Sequence, residues 1–218
     1  FGYGKGEQTM RLEGQERIPS GCAVTGVIDR SGKPMSGEDM IRSIAVMHDR
    51  SNGLGGGFAG YGIYPDYKDF YAFHLFYDDT FAKQKTEEFL ARHFEIAYAS
   101  EIQTHKIPEI TNEPLIYRYF LSPLRRKLES SHLDEGEYTA RCVNRINAEI
   151  TGAYVFSSGK NMGIFKAVGF PEDVGRFYRL DEYFGYSWTC HGRYPTNTPG
   201  WWGGAHPFGL LEYSVVHN

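Results

Sequence analysis

At 218 residues, with 41% hydrophobic and 23% charged side chains, the chain has the make-up of one folded domain, not of a fibrous or disordered polypeptide. A net charge of −4 and a pI near 6.1 leave no general basic field for phosphates, which argues against nucleic acid as a partner. No apolar run approaches the roughly 18 residues that cross a bilayer, and residues 1–21 lack the apolar centre of a secretory signal. No membrane partner is therefore expected, and the cytoplasm is the expected compartment.

Phe1 to Gly21 carry five glycines, many charges and little periodicity. The pattern then changes at Cys22-Ala23-Val24-Thr25-Gly26-Val27-Ile28, which reads as a strand. Gly55, Gly57 and Gly60 satisfy GxGxxG, but a dinucleotide loop needs a helix after it, and Pro65 argues against one. These glycines read instead as places where the backbone turns tightly or comes close to a neighbour. Asp69 to Asp78 is apolar on both alternating faces, as in a strand covered on both sides, with His74 interrupting one face. A helix over about 82–94 follows, then strands near 95–102 and 115–121. Val143, Ile146 and Ile150 recur at helical spacing behind a possible Asp134 cap, which predicts a helix over 135–150. Ala153–Ser157 and Ile164–Val168 flank Ser158-Gly159-Lys160-Asn161-Met162-Gly163 and read as a hairpin, after which Pro171 opens a short helix toward Tyr178. Hairpins mixed with long helices favour α+β layers over a doubly wound parallel sheet.

Three cysteines, Cys22, Cys142 and Cys190, are too few and too irregularly spaced for a disulfide framework or a paired CxxC zinc site. The eight histidines show no HxH or HExxH arrangement, so no metal is expected. Cys142 reads as a small core residue inside a helix. Cys190 and His191 are adjacent on a strand and should face opposite sides, so they should not form a dyad. Cys22 differs because it opens a strand directly after Pro19-Ser20-Gly21. Cleavage there would leave an N-terminal cysteine whose α-amine, with a pKa near 8, could serve as its base. The plain alternative is a small residue at the start of a core strand.

His191-Gly192-Arg193-Tyr194-Pro195-Thr196-Asn197-Thr198-Pro199, then Ala205-His206-Pro207-Phe208, then Val216-His217-Asn218 resemble in order the substrate-binding stretch of class II glutamine amidotransferases. Upstream, Met47-His48-Asp49-Arg50, Ser157-Ser158, Ile164-Phe165-Lys166-Ala167 and Pro171 to Leu180 resemble segments of glutamate synthases. The likeness extends over most of Cys22–Asn218 and is nearest to the small amidotransferase subunits of archaeal-type glutamate synthase, which share the Gly-Cys junction and Ser-Gly-Lys-x-Met-Gly. It implies an N-terminal-nucleophile hydrolase fold, a four-layer αββα sandwich with two mainly antiparallel sheets between helices. It also implies a leader over residues 1–21 and an amidotransferase domain over 22–218.

Carried over by the resemblance, Cys22 would be the nucleophile and Asn218 an oxyanion donor. Arg193 would pair with the α-carboxylate of L-glutamine, Thr196 would help hold it, and Tyr194 would gate the pocket. The chain would need no cofactor of its own, while FMN and iron–sulfur clusters would sit on partner glutamate synthase subunits or domains in a hetero-oligomer that receives the ammonia. Trp201 and Trp202 are expected to pack a loop or a partner surface. Relatives continue past Asn218 with a glycine and a later aspartate that binds the substrate amine, so a longer native polypeptide with glycine at position 219 is expected. Two other readings remain open: a non-catalytic subunit that keeps the fold as an assembly or regulatory platform, and an unrelated cysteine peptidase or amidase.

Overall fold

The computed structural model describes residues 21–195 and 197–217. The expected leader, except Gly21, and the expected roles of Thr196 and Asn218 therefore lie outside the described residues. The first elements are β1 (Ala23–Ile28), β2 (Met35–Ser36), α1 (Gly37–Ala45), β3 (Gly56–Tyr61), β4 (Tyr71–Tyr77), α2 (Thr80–His93) and β5 (Phe94–Glu101). Next come β6 (Leu115–Pro123), α3 (Arg125–Ser131), α4 (Glu135–Glu149), β7 (Ala153–Ser157), β8 (Met162–Ala167) and α5 (Pro171–Phe177). The last are β9 (Phe184–Gly185), β10 (Ser187–Gly192), β11 (Phe208–Leu210) and β12 (Tyr213–Val215).

Local chemistry explains the long helices. The Asp134 carboxylate accepts from Glu137 N–H at 2.8 Å and starts α4, whose Tyr138, Cys142, Val143 and Ile146 are buried at helical spacing. Asp79 caps α2 in the same way through Ala82 N–H at 2.8 Å. Two four-stranded antiparallel sheets result, ordered β1-β10-β3-β8 and β5-β6-β4-β7. The α+β expectation holds, with antiparallel pairing throughout both sheets.

Strand β4 is buried at all seven positions and sorts its side chains by alternation. Tyr71, Phe73, Leu75 and Tyr77 join a core with Phe89 and Leu90 of α2 and Cys142 and Ile146 of α4. Ala72 and Phe76 join a second core containing residues of both sheets together with Met40 and Ile44 of α1 and Val174 and Phe177 of α5.

The predicted 153–168 hairpin is not formed. Strand β7 pairs with β4, whereas β8 pairs with β3, so the intervening turn carries the chain from one sheet to the other. Asn161 directs the crossing from a left-handed backbone at φ 51°. Its carbonyl accepts from Gly62 N–H at 2.7 Å and its side-chain oxygen from Tyr64 N–H at 2.9 Å, which ties β8 to the end of β3. The glycine run 55–60 leads into and forms most of β3, as its use for close approach requires. A Cβ on Gly57 would lie 2.3 Å from the His206 carbonyl oxygen and 2.7 Å from that of Phe165.

His74 is wholly buried between the sheets. Its Nδ1–H donates to Ile164 O at 2.8 Å and its Nε2 lies 2.9 Å from Tyr64 Oη, which can donate to the neutral ring. Burial pushes its pKa down to about 3. The folded value is thus depressed below the unfolded value near 6.5. The unfolded chain takes up this proton first as pH falls, and stability declines from about pH 6.5 toward 3 by roughly 1.4 kcal/mol per pH unit for this group. In urea unfolding followed across that window, His74→Gln is expected to lower stability at pH 7.5 and to flatten the acid slope by about one proton.

Candidate active site

Sheet pairing alone brings the sequence-distant landmarks together. In the β1–β10 register Ala23 lies opposite Gly192 and Val24 opposite His191, so the residue before one strand meets the residues after the other. Accordingly the backbone N–H of Tyr194 donates to Cys22 Sγ at 3.3 Å, joining residues 172 positions apart. Cys22 is half-buried at this edge.

The loop after the short 3-10 turn His48–Arg50 grips the segment on its other side. Arg193 N–H donates to Gly55 O at 2.8 Å, and Arg193 O accepts from Ser51 Oγ at 3.1 Å and Asn52 N–H at 3.3 Å. Asn52 Nδ2 adds a bond to Pro195 O at 3.2 Å. The backbone of 193–195 is thus fixed by one loop. Arg193 directs its guanidinium along its own loop, with Nη2 on Thr198 Oγ1 at 2.6 Å and Nη1 on Pro199 O at 3.4 Å. No carboxylate among the described residues pairs with it.

Beside Cys22 stands Arg50, whose Nε donates to the Cys22 carbonyl at 3.5 Å and whose Nη2 would lie 3.2 Å from a Cβ on Gly21. Sequence reading noted the Met47–Arg50 segment without assigning Arg50 a place; its signal was the Arg in a short stretch of resemblance far from Cys22 in the chain. Next to it, His48 pairs with Glu172 and stacks on Phe170 at 4.1 Å, holding this turn against the start of α5.

A histidine layer lies beneath. His191 Nε2–H donates to His217 O at 2.9 Å, its ring stacks on His206 at 4.6 Å, and His206 Nδ1 accepts from His217 N–H at 3.0 Å. Burial, then the neighbouring His206, pushes the His191 pKa down to about 4, so the ring is neutral near pH 7. These bonds hold the segment before Asn218 over β10, a link with no sequence signal beyond the order of the motifs.

The other thiols are placed differently. Cys190 is fully buried on the Phe58 side of β10, opposite to His191, so no Cys190–His191 dyad forms, and burial raises its pKa well above the ordinary thiol value. Burial likewise pushes Cys142 up to about 11, as expected of a core thiol. Tyr194 meets Cys22 through its amide, and its ring is half-buried at the same edge. Among the described residues no group of three His, Cys, Asp or Glu side chains is arranged to hold a metal ion, and no helix is long and apolar enough to cross a membrane.

No protein-family model matches the chain. It is 52% identical over 200 residues to an uncharacterized protein of Archaeoglobus fulgidus, a likeness that takes in 90% of this chain and 53% of that protein. The chain therefore spans about half the length of the relative it matches.

Proposed function

We propose that this chain is the glutaminase part of a class II amidotransferase of the glutamate-synthase type, built on the N-terminal-nucleophile hydrolase sandwich. The observation that carries the reading is the 3.3 Å contact between Cys22 Sγ and the amide of Tyr194. It unites the Gly-Cys junction with the His-Gly-Arg-Tyr segment at one sheet edge, which supports the reading. One residue away, a guanidinium without a carboxylate partner among the described residues suits capture of the glutamine α-carboxylate.

In this reading the Gly21–Cys22 bond is cleaved and the freed α-amine takes the thiol proton. The Cys22 thiolate attacks the side-chain amide carbon, the C–N bond breaks, and ammonia leaves with a proton returned by the amine. Water then hydrolyses the γ-glutamyl thioester to glutamate and regenerates the thiol. Asn218 and Thr196 complete the proposed site as oxyanion donor and substrate-holding hydroxyl. Ammonia passes to a glutamate synthase partner that carries the flavin and iron–sulfur clusters.

Arg193→Lys tests the carboxylate grip. A lysine ammonium is a point charge that cannot reproduce a bidentate fork. In steady-state glutaminase assays on the mature protein, KM for glutamine is expected to rise about tenfold or more while kcat changes less. An unchanged KM would remove Arg193 from the proposed site.

A further inference from the structure

A cavity of about 360 Å³ opens beyond the loop that leads away from Arg193, a size typical of small-molecule sites. Its walls carry four aromatic side chains, Phe76, Tyr154, Trp201 and Trp202. The rings meet in pairs, Phe76 edge-on to Trp202 at 5.6 Å and Tyr154 tilted to Trp201 at 6.2 Å. Trp201 is 56% exposed although it packs onto bare backbone, since a Cβ on Gly203 or Gly204 would lie about 2 Å from its indole. The ring is therefore held in position without being covered.

Asp78 is the charged residue in this lining. It follows β4, its N–H donates to Gly152 O at 2.9 Å, and its exposed carboxylate makes no ion pair or side-chain hydrogen bond among the described residues. Behind the aromatic wall the buried Lys166 donates to Gly203 O at 2.9 Å, with its ammonium 5.3 Å from the Tyr154 ring centroid. Burial lowers its pKa to about 7, which weakens the positive charge it would set against a cationic ligand.

We propose that this cavity binds a small organic ammonium ion. Aromatic faces attract a cation through their quadrupoles, and a carboxylate at the rim supplies the countercharge. A neutral molecule of the same shape gains neither term. The assignment is independent of the chemistry proposed at Cys22, which lies at the β1–β10 edge.

Isothermal titration of the protein with choline and with its neutral carbon isostere, 3,3-dimethyl-1-butanol, tests it. Saturable choline binding, at least about tenfold tighter than the alcohol, is expected. Asp78→Asn, a change at an exposed position, should weaken choline by roughly tenfold and leave the alcohol unaffected. Trp201→Leu should weaken choline while the unfolding midpoint reports an intact fold. Equal affinity for the two probes, no saturable choline binding, or undiminished choline binding by both variants would overturn the proposal.

Discussion

Cys22→Ala is expected to abolish glutamine-dependent glutamate formation, lowering turnover by roughly a thousandfold or more, because no other thiol can take its place. Cys142 and Cys190 are buried, and their raised pKa values leave them protonated near pH 7. The fold should be little disturbed, since Cys22 is half-buried at the entry to an edge strand and not within either core. Turnover measured alongside the urea midpoint separates the two effects: activity falls to background while the midpoint stays close to that of the unaltered chain. Equal glutamate formation by both proteins would leave the scaffold as an assembly platform that draws its ammonia from solution.

Gly57→Ala is expected to produce the largest loss of stability among single methyl additions in β3. The new Cβ would lie 2.3 Å from His206 O, 2.7 Å from Phe165 O and 2.8 Å from Lys166 Cβ. Two of these are backbone atoms in a paired sheet and its covering loop, so neither can yield as the end of a flexible side chain does. Overpacking typically costs about 1–3 kcal/mol, and contacts this close to backbone put Gly57→Ala at the upper end of that range. Because Gly57 lies opposite His191 and touches the His206 carbonyl, the displacement also spreads the histidine layer that supports residues 216–217. Gly26→Ala in β1 is the control, with its nearest neighbour, Trp188 O, at 3.5 Å, and is expected to shift stability by no more than about 0.5 kcal/mol. Chemical unfolding of the three proteins side by side distinguishes a close approach from a mere preference for glycine.

Where one face or one period dominated, the sequence was readable. The doubly apolar run around His74 is β4, and the Val143–Ile146 spacing behind Asp134 is α4. The 153–168 segment misled because two apolar runs joined by a polar turn look alike whether the strands pair or diverge. The difference lies in Asn161, whose tertiary bonds to Gly62 and Tyr64 carry no local signature. Similarly, β10 is Ser187–Gly192, and its pairing with β1 sets the meeting of Cys22 with Tyr194; strand partners so far apart in the chain cannot be read from periodicity.

For the site, motif order named Cys22, Arg193 and Tyr194, and the β1–β10 register brings them to one edge. It included Arg50 in a motif without giving it a place and was silent on Ser51 and Asn52; all three act on backbone atoms of the Cys22 and 193–195 segments, which needs no particular motif.

Acid quenching of protein prepared with Cys22 at its N-terminus, during incubation with L-glutamine, followed by peptide mass spectrometry, tests the central claim most directly. One γ-glutamyl group on the peptide beginning at Cys22, absent with D-glutamine and absent from the Cys142 and Cys190 peptides, is the predicted result. Steady glutamate formation with an unmodified Cys22, or a glutamyl group on either buried cysteine, would contradict it.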